Sequence, residues 1–257
     1  MPGFEEDRDY FNNNGSGVKA KKLHPVRDDA SKGILSFAKV FLYMFIYIAI
    51  TAAVAFGLGF VIAYSYMKSG GAEQVLNIYL GVLIGSAIAM LIMMPVINFV
   101  ILRGKHSVLV PSIIYSVLVG VLFSSLTIFV DWRIIGMAFG ITAGVFLLMS
   151  LIAMFTKGNM APLAMMAFGL FIGAGILALV NWLVGSETLY WIVSFAIFAA
   201  LMFITMFDIW RAKKITENGQ ADRNISFYLA FNMYVDFINI FIRILYFLII
   251  IFGRRSN

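Results

Sequence analysis

From about residue 37 onward the chain is a succession of apolar runs, each long enough to cross a bilayer as a helix, and this feature leaves little choice of fold. The runs are continuous rather than amphipathic, and short charged or glycine-containing turns separate them. They predict helices over 38–66, 76–101, 108–130, 133–155, 161–184, 188–208 and 225–252. Strands in a membrane must close into a barrel and alternate their side chains every second residue, and runs this long without alternation fit helices instead. With 62% hydrophobic and only 12% charged residues over 257 positions, most of the chain would expose a large apolar surface in water. The expected class is an all-α integral membrane protein of seven transmembrane helices, occupying residues 37–257.

Residues 1–36 form a polar arm with Asn12-Asn13-Asn14-Gly15-Ser16-Gly17, acidic Glu5, Glu6, Asp7 and Asp9, and basic Lys19, Lys21 and Lys22. Such a composition predicts disorder. No short apolar region follows an initial basic stretch, so a signal peptide is not expected, and the acids oppose a mitochondrial presequence. The lack of a eukaryotic targeting signal points to a bacterial plasma membrane. Placing the N-terminus inside puts 14 of the 19 Lys and Arg residues on the inner side and four outside. A cytoplasmic N-terminus and an external C-terminus are therefore expected. The net charge of +6 lies in loops and tails beside apolar spans, where it sets orientation and gives no footprint for nucleic acid.

Several function classes fall away. The chain has no cysteine, so disulfides, thiol nucleophiles and thiolate metal sites are excluded together. His24 and His106 are the only histidines, no serine sits in a glycine-framed motif beside a base, and no enzymatic activity is expected. The last helix holds no lysine for a retinal Schiff base. Glycines recur every four residues at Gly136, Gly140 and Gly144, at Gly169 and Gly173, and at Gly81 and Gly85, which predicts seams where helices pack closely. Pro95 and Pro111 predict kinks in helices two and three.

Charge inside the spans carries the functional signal. Asp236 and Arg243 lie well within an apolar segment, and Asp208 is expected at the inner end of helix six. A carboxylate facing lipid costs several kcal/mol, so such groups turn toward the bundle interior or a watery path. Asn232, Asp236, Asn239 and Arg243 follow at steps of four, three and four, which sets them on one helix face as candidate pore- or gate-lining residues. Arg243 is about 10 Å along the axis from Asp236, so the two are not nearest partners. Asp208 is the better candidate, although an expected loop of some 16 residues calls for a tilt or a broken first turn to bring the carboxyls together. Two carboxyls in one apolar site hold a proton between them and act as a proton sensor. Its loss replaces a hydrogen bond by repulsion and opens a route for a divalent cation. The other reading is structural: Asp236 and Arg243 neutralise partners in a static bundle.

The segment Phe231-Asn232-Met233-Tyr234-Val235-Asp236-Phe237-Ile238-Asn239-Ile240-Phe241-Ile242-Arg243-Ile244-Leu245 resembles the last-helix signature of the Bax inhibitor-1 family, the transmembrane Bax inhibitor motif proteins. Met206-Phe207-Asp208-Ile209-Trp210-Arg211 is similar to the family's end of helix six, with Phe207 where a tyrosine is usual. The resemblance implies six helices around a central seventh, a calcium leak, and a di-aspartyl pH sensor at Asp208 and Asp236 that ligates calcium in transit. Calcium would be cargo, with no cofactor. The resemblance also implies a closed-state partner at the end of helix two, which by position is Arg103 in Leu102-Arg103-Gly104-Lys105. Solvated orientation charge is the alternative for Arg103. A rival role follows from the same family: a non-conducting regulator that binds a membrane protease or a cell-death or stress protein.

Overall fold

The computed structural model describes residues 26–71, 73–103 and 107–253, with side chains over 37–252. It contains seven helices: α1 Val26–Lys68, α2 Glu73–Arg103, α3 Leu109–Phe129, α4 Trp132–Phe155, α5 Ala161–Val184, α6 Glu187–Glu217 and α7 Arg223–Gly253. All seven are long and apolar enough to cross a membrane, and no strand occurs among the described residues. The chain is a multi-pass helical membrane protein.

Two helix ends differ from the sequence expectation. Helix α1 begins at Val26, so residues 26–36 of the supposed disordered arm are helical. Residues 1–25 lie outside the described residues. A helix anchored in a membrane gains one hydrogen bond for each residue added.

Helix α6 continues nine residues past Asp208 to Glu217, and only residues 218–222 separate it from α7. The basic run at Arg211, Lys213 and Lys214 ends the apolar stretch without ending the helix. Ile209, Ala212 and Thr216 keep one face buried at helical spacing, while Lys213 pairs with Glu217 at 3.7 Å and donates to the Met154 carbonyl near the end of α4. The helix stops at Asn218, and Gly219 supplies the left-handed φ of +66° that turns the chain.

Helix α7 is the centre. It packs against α1, α2, α3, α4 and α6, whereas α5 packs on α6 alone. Lipid tails give helices no hydrophobic reason to associate, so close backbone approach and hydrogen bonds must hold the bundle. The closest approach is between α1 and α3. A Cβ on Gly120 would stand 2.7 Å from Val54 Cβ and 2.8 Å from the Thr51 carbonyl oxygen, and one on Gly59 would run into Thr127. The glycines expected to form seams do not: Gly81, Gly85, Gly136, Gly140, Gly144, Gly169 and Gly173 have nothing within 4 Å of such a Cβ. A four-residue glycine repeat makes a face flat, but bulkier neighbours decide which face turns inward. Pro111 sits in the first turn of α3, where its missing N–H costs nothing, and only Pro95 is interior to a helix.

Polar contacts tie the helices to α7 and to each other. The Thr51 hydroxyl donates to the Ser116 carbonyl at 3.0 Å and lies 2.6 Å from the Tyr234 hydroxyl, joining α1, α3 and α7. Tyr228 donates to Asn98 Oδ1 at 2.8 Å, and the Val108 N–H at the head of α3 donates to Asn224 Oδ1 at 2.7 Å. Tyr79 and Ser124 meet at 2.8 Å between α2 and α3.

Candidate functional site: an aspartate pair between α6 and α7

The short turn makes α6 and α7 antiparallel neighbours, and helical rise then fixes what can meet. Asp208 lies nine residues from the end of α6 and Asp236 thirteen residues from the start of α7. At about 1.5 Å per residue these are depths of about 14 Å and 20 Å from the turn, a difference that two side chains can span. The two carboxyl groups come close enough to act on each other across the α6–α7 seam. Neither a tilt nor a broken first turn is needed, because the extension of α6 beyond Asp208 supplies the depth.

Among the described residues Asp236 is the only Asp, Glu, Lys or Arg that is buried, at 7% exposure, and its Oδ2 atom has no hydrogen-bond partner among the described groups. Asp208 is half-buried. A carboxylate has only acceptors, so a hydrogen bond between two carboxyls requires one of them to carry a proton. Two carboxyls this close are able to share one proton, and one oxygen of Asp236 stays buried with no partner among the described groups.

The cations are placed differently from the sequence expectation. Arg211, one turn beyond Asp208 on the same helix, is the cation that acts on the Asp208 carboxyl. Arg103 is exposed at the end of α2, where its guanidinium lies 4.2 Å over the Phe99 ring, and it makes no ion pair among the described residues. Arg211 stands in the sequence three residues after Asp208, but that spacing has meaning only once α6 is known to continue.

Of the polar stripe on α7, Asp236 is buried, Asn232 and Arg243 are half-buried and Asn239 is exposed. The stripe is thus one buried carboxyl flanked by groups at the rim. Among the described residues no three His, Asp or Glu side chains gather as a metal site. A cavity of about 440 Å³ opens between α1, α3, α4 and α7, lined by Thr51, Phe123, Gly136, Phe139, Phe237 and Phe241 among others. Its lining has no ionisable group.

Comparison with known proteins follows the same segments. The family model described as "Inhibitor of apoptosis-promoting Bax1" matches residues 35–254. The inner membrane protein YbhL of Escherichia coli strain K12 is 32% identical over 179 residues, covering 67% of this chain and 75% of that protein. An uncharacterized membrane protein of Streptococcus pyogenes serotype M1 is 31% identical over 175 residues, covering 67% of this chain and 74% of its own length. An uncharacterized protein of Borreliella burgdorferi is 32% identical over 150 residues, covering 56% of this chain and 62% of that protein. No solved structure matches the chain.

Proposed function

The chain belongs to the Bax inhibitor-1 family, and from that premise we propose that it is a pH-sensitive calcium leak whose gate is the pair Asp208 and Asp236. The observation that carries the reading is the meeting of two carboxyl groups from the adjacent helices α6 and α7, with one oxygen of Asp236 buried and unpaired. While a proton is shared, the pair draws the helices together. When the proton leaves, two like charges face each other away from water, and separating α6 from α7 relieves the repulsion. The freed carboxylates are hard oxygen ligands suited to a passing calcium ion, and two of them with no third acidic group gathered there among the described residues fit passage rather than storage.

Flux rises with pH on this mechanism, because deprotonation is the opening step. Arg211, one turn beyond Asp208 on α6, is the cation nearest to this carboxyl in sequence. Asn232, one turn before Asp236, lines the approach from the turn side. The positive-inside count supports a cytoplasmic N-terminus, which places that approach on the cytoplasmic face of a bacterial inner membrane.

The test uses proteoliposomes loaded with a calcium dye. Wild-type protein is expected to pass calcium with a flux that climbs between about pH 6 and 8, and Asp208→Asn or Asp236→Asn to flatten that climb. Equal flux with an equal pH response in both variants refutes the gate.

A further inference from the structure

A second polar cluster occupies the same α6–α7 seam at the end away from the turn, and the aspartate mechanism makes no use of it. Tyr190, in the first turn of α6, donates its hydroxyl hydrogen to the hydroxyl of Tyr246 on α7. Beside them Trp191 stacks on Phe247 at 5.9 Å, and Phe195 lies 5.6 Å from the same ring. Tyrosine and tryptophan gathered at one end of a span mark the level where acyl chains give way to lipid headgroups.

Arg243 stands one turn nearer the membrane centre than Tyr246 and close enough for its charge to act on that hydroxyl. It is half-buried and has no carboxylate partner among the described residues. A guanidinium does not lose its proton, so a cation at this depth needs an anion from elsewhere. An arginine near the end of a span extends its charge to the interface, where the abundant anion is the phosphate that links each lipid's headgroup to its glycerol. A planar guanidinium engages two phosphate oxygens at once. The Tyr246 oxygen already accepts from Tyr190, which leaves its own hydrogen to donate, and the residue is 39% exposed.

We propose that Arg243 and Tyr246 form a phosphate-binding site for a phospholipid at the end of the bundle where α6 begins. The cation supplies charge and two donors, the tyrosine hydroxyl a third, and Trp191 and Phe247 border the adjoining acyl chains. The Tyr190 bond holds the Tyr246 ring in place as a positioning contact. Phosphate chemistry is common to a lipid and to free inorganic phosphate, and the girdle favours the lipid.

The experiment measures thermal unfolding of the full chain, delipidated in mild detergent, on addition of phosphatidylglycerol, diacylglycerol or sodium phosphate. Phosphatidylglycerol is expected to raise the midpoint, and diacylglycerol, which has the chains without the phosphate, to leave it unchanged. Losing a charged hydrogen-bond pair weakens binding by about tenfold or more, so Arg243→Gln needs that much more phosphatidylglycerol for the same shift. Arg243→Lys is expected to fall between, and Tyr246→Phe, which keeps the charge, to weaken binding by about threefold. An undiminished response in Arg243→Gln overturns the proposal. So does an equal shift from diacylglycerol, or one from sodium phosphate alone that matches the lipid.

Discussion

The seam between α1 and α3 permits a test of the fold in which one substitution is its own control for another. Gly120→Ala places a methyl carbon 2.7 Å from Val54 Cβ and 2.8 Å from the Thr51 carbonyl oxygen. Carbon atoms rest at about 3.5–4.0 Å, so the helices must part by about 1 Å. Backbone on one side and a β-branched stem on the other cannot swing away. Overpacking of this kind costs about 1–3 kcal/mol. Parting the helices also stretches the Thr51–Tyr234 contact, now 2.6 Å, which ties both to α7. Against this, alanine gains up to about 1 kcal/mol over glycine in a helix interior. Gly140→Ala makes the same exchange inside α4 with nothing within 4 Å, so it carries the propensity gain alone. The difference between the two variants isolates the clash at about 1–3 kcal/mol. Denaturant titration of both proteins in mild detergent, followed by tryptophan fluorescence, reads that difference. If both shift the midpoint alike, α1 and α3 do not meet at Gly120 and the helix arrangement is wrong.

Arg103→Gln is expected to leave the pH dependence of calcium flux in liposomes unchanged, because the guanidinium lies over the Phe99 ring at the end of α2 and makes no ion pair among the described residues; a displaced rise would make Arg103 a partner of the aspartates. Asn224→Ala removes the acceptor for the Val108 N–H at the head of α3 and is expected to lower stability by about 1 kcal/mol in the same denaturant assay, with no change if the cap is incidental. Deleting residues 1–30 is expected to leave pH-dependent flux intact, since the aspartate pair lies wholly on α6 and α7; loss of flux with the protein still folded by circular dichroism favours a regulator that acts through its arm.

The fold was legible from apolar length alone, because a span must hide every backbone polar group and only a helix of some 20 residues does so for itself. Helix ends were less legible. A run such as Arg211-Ala212-Lys213-Lys214 marks where the apolar stretch stops, and the helix continued to Glu217 with Lys213 paired to that residue. That single misplacement hid both the shared depth of Asp208 and Asp236 and the role of Arg211. The inward turn of Asp236 was foreseeable, because a carboxylate is costly in lipid, and the residue is buried. The packing glycines were not: Gly59 and Gly120 stand alone in sequence, and only the surroundings of each reveal which ones a neighbour touches. Tyr234 was visible within the family signature, yet its bond to Thr51 joins positions 183 residues apart.

Helix α5 touches no helix but α6. If α6 swings from α7, α5 travels with it as a passenger, and the pair sweeps through acyl chains rather than through protein. The drag on that motion, and the work of making room for it, then belong to the lipid. A leaflet of stiffer or more tightly pressed chains resists the swing on every turn of two helices, so bilayer thickness and lateral pressure set the ease of movement alongside the proton.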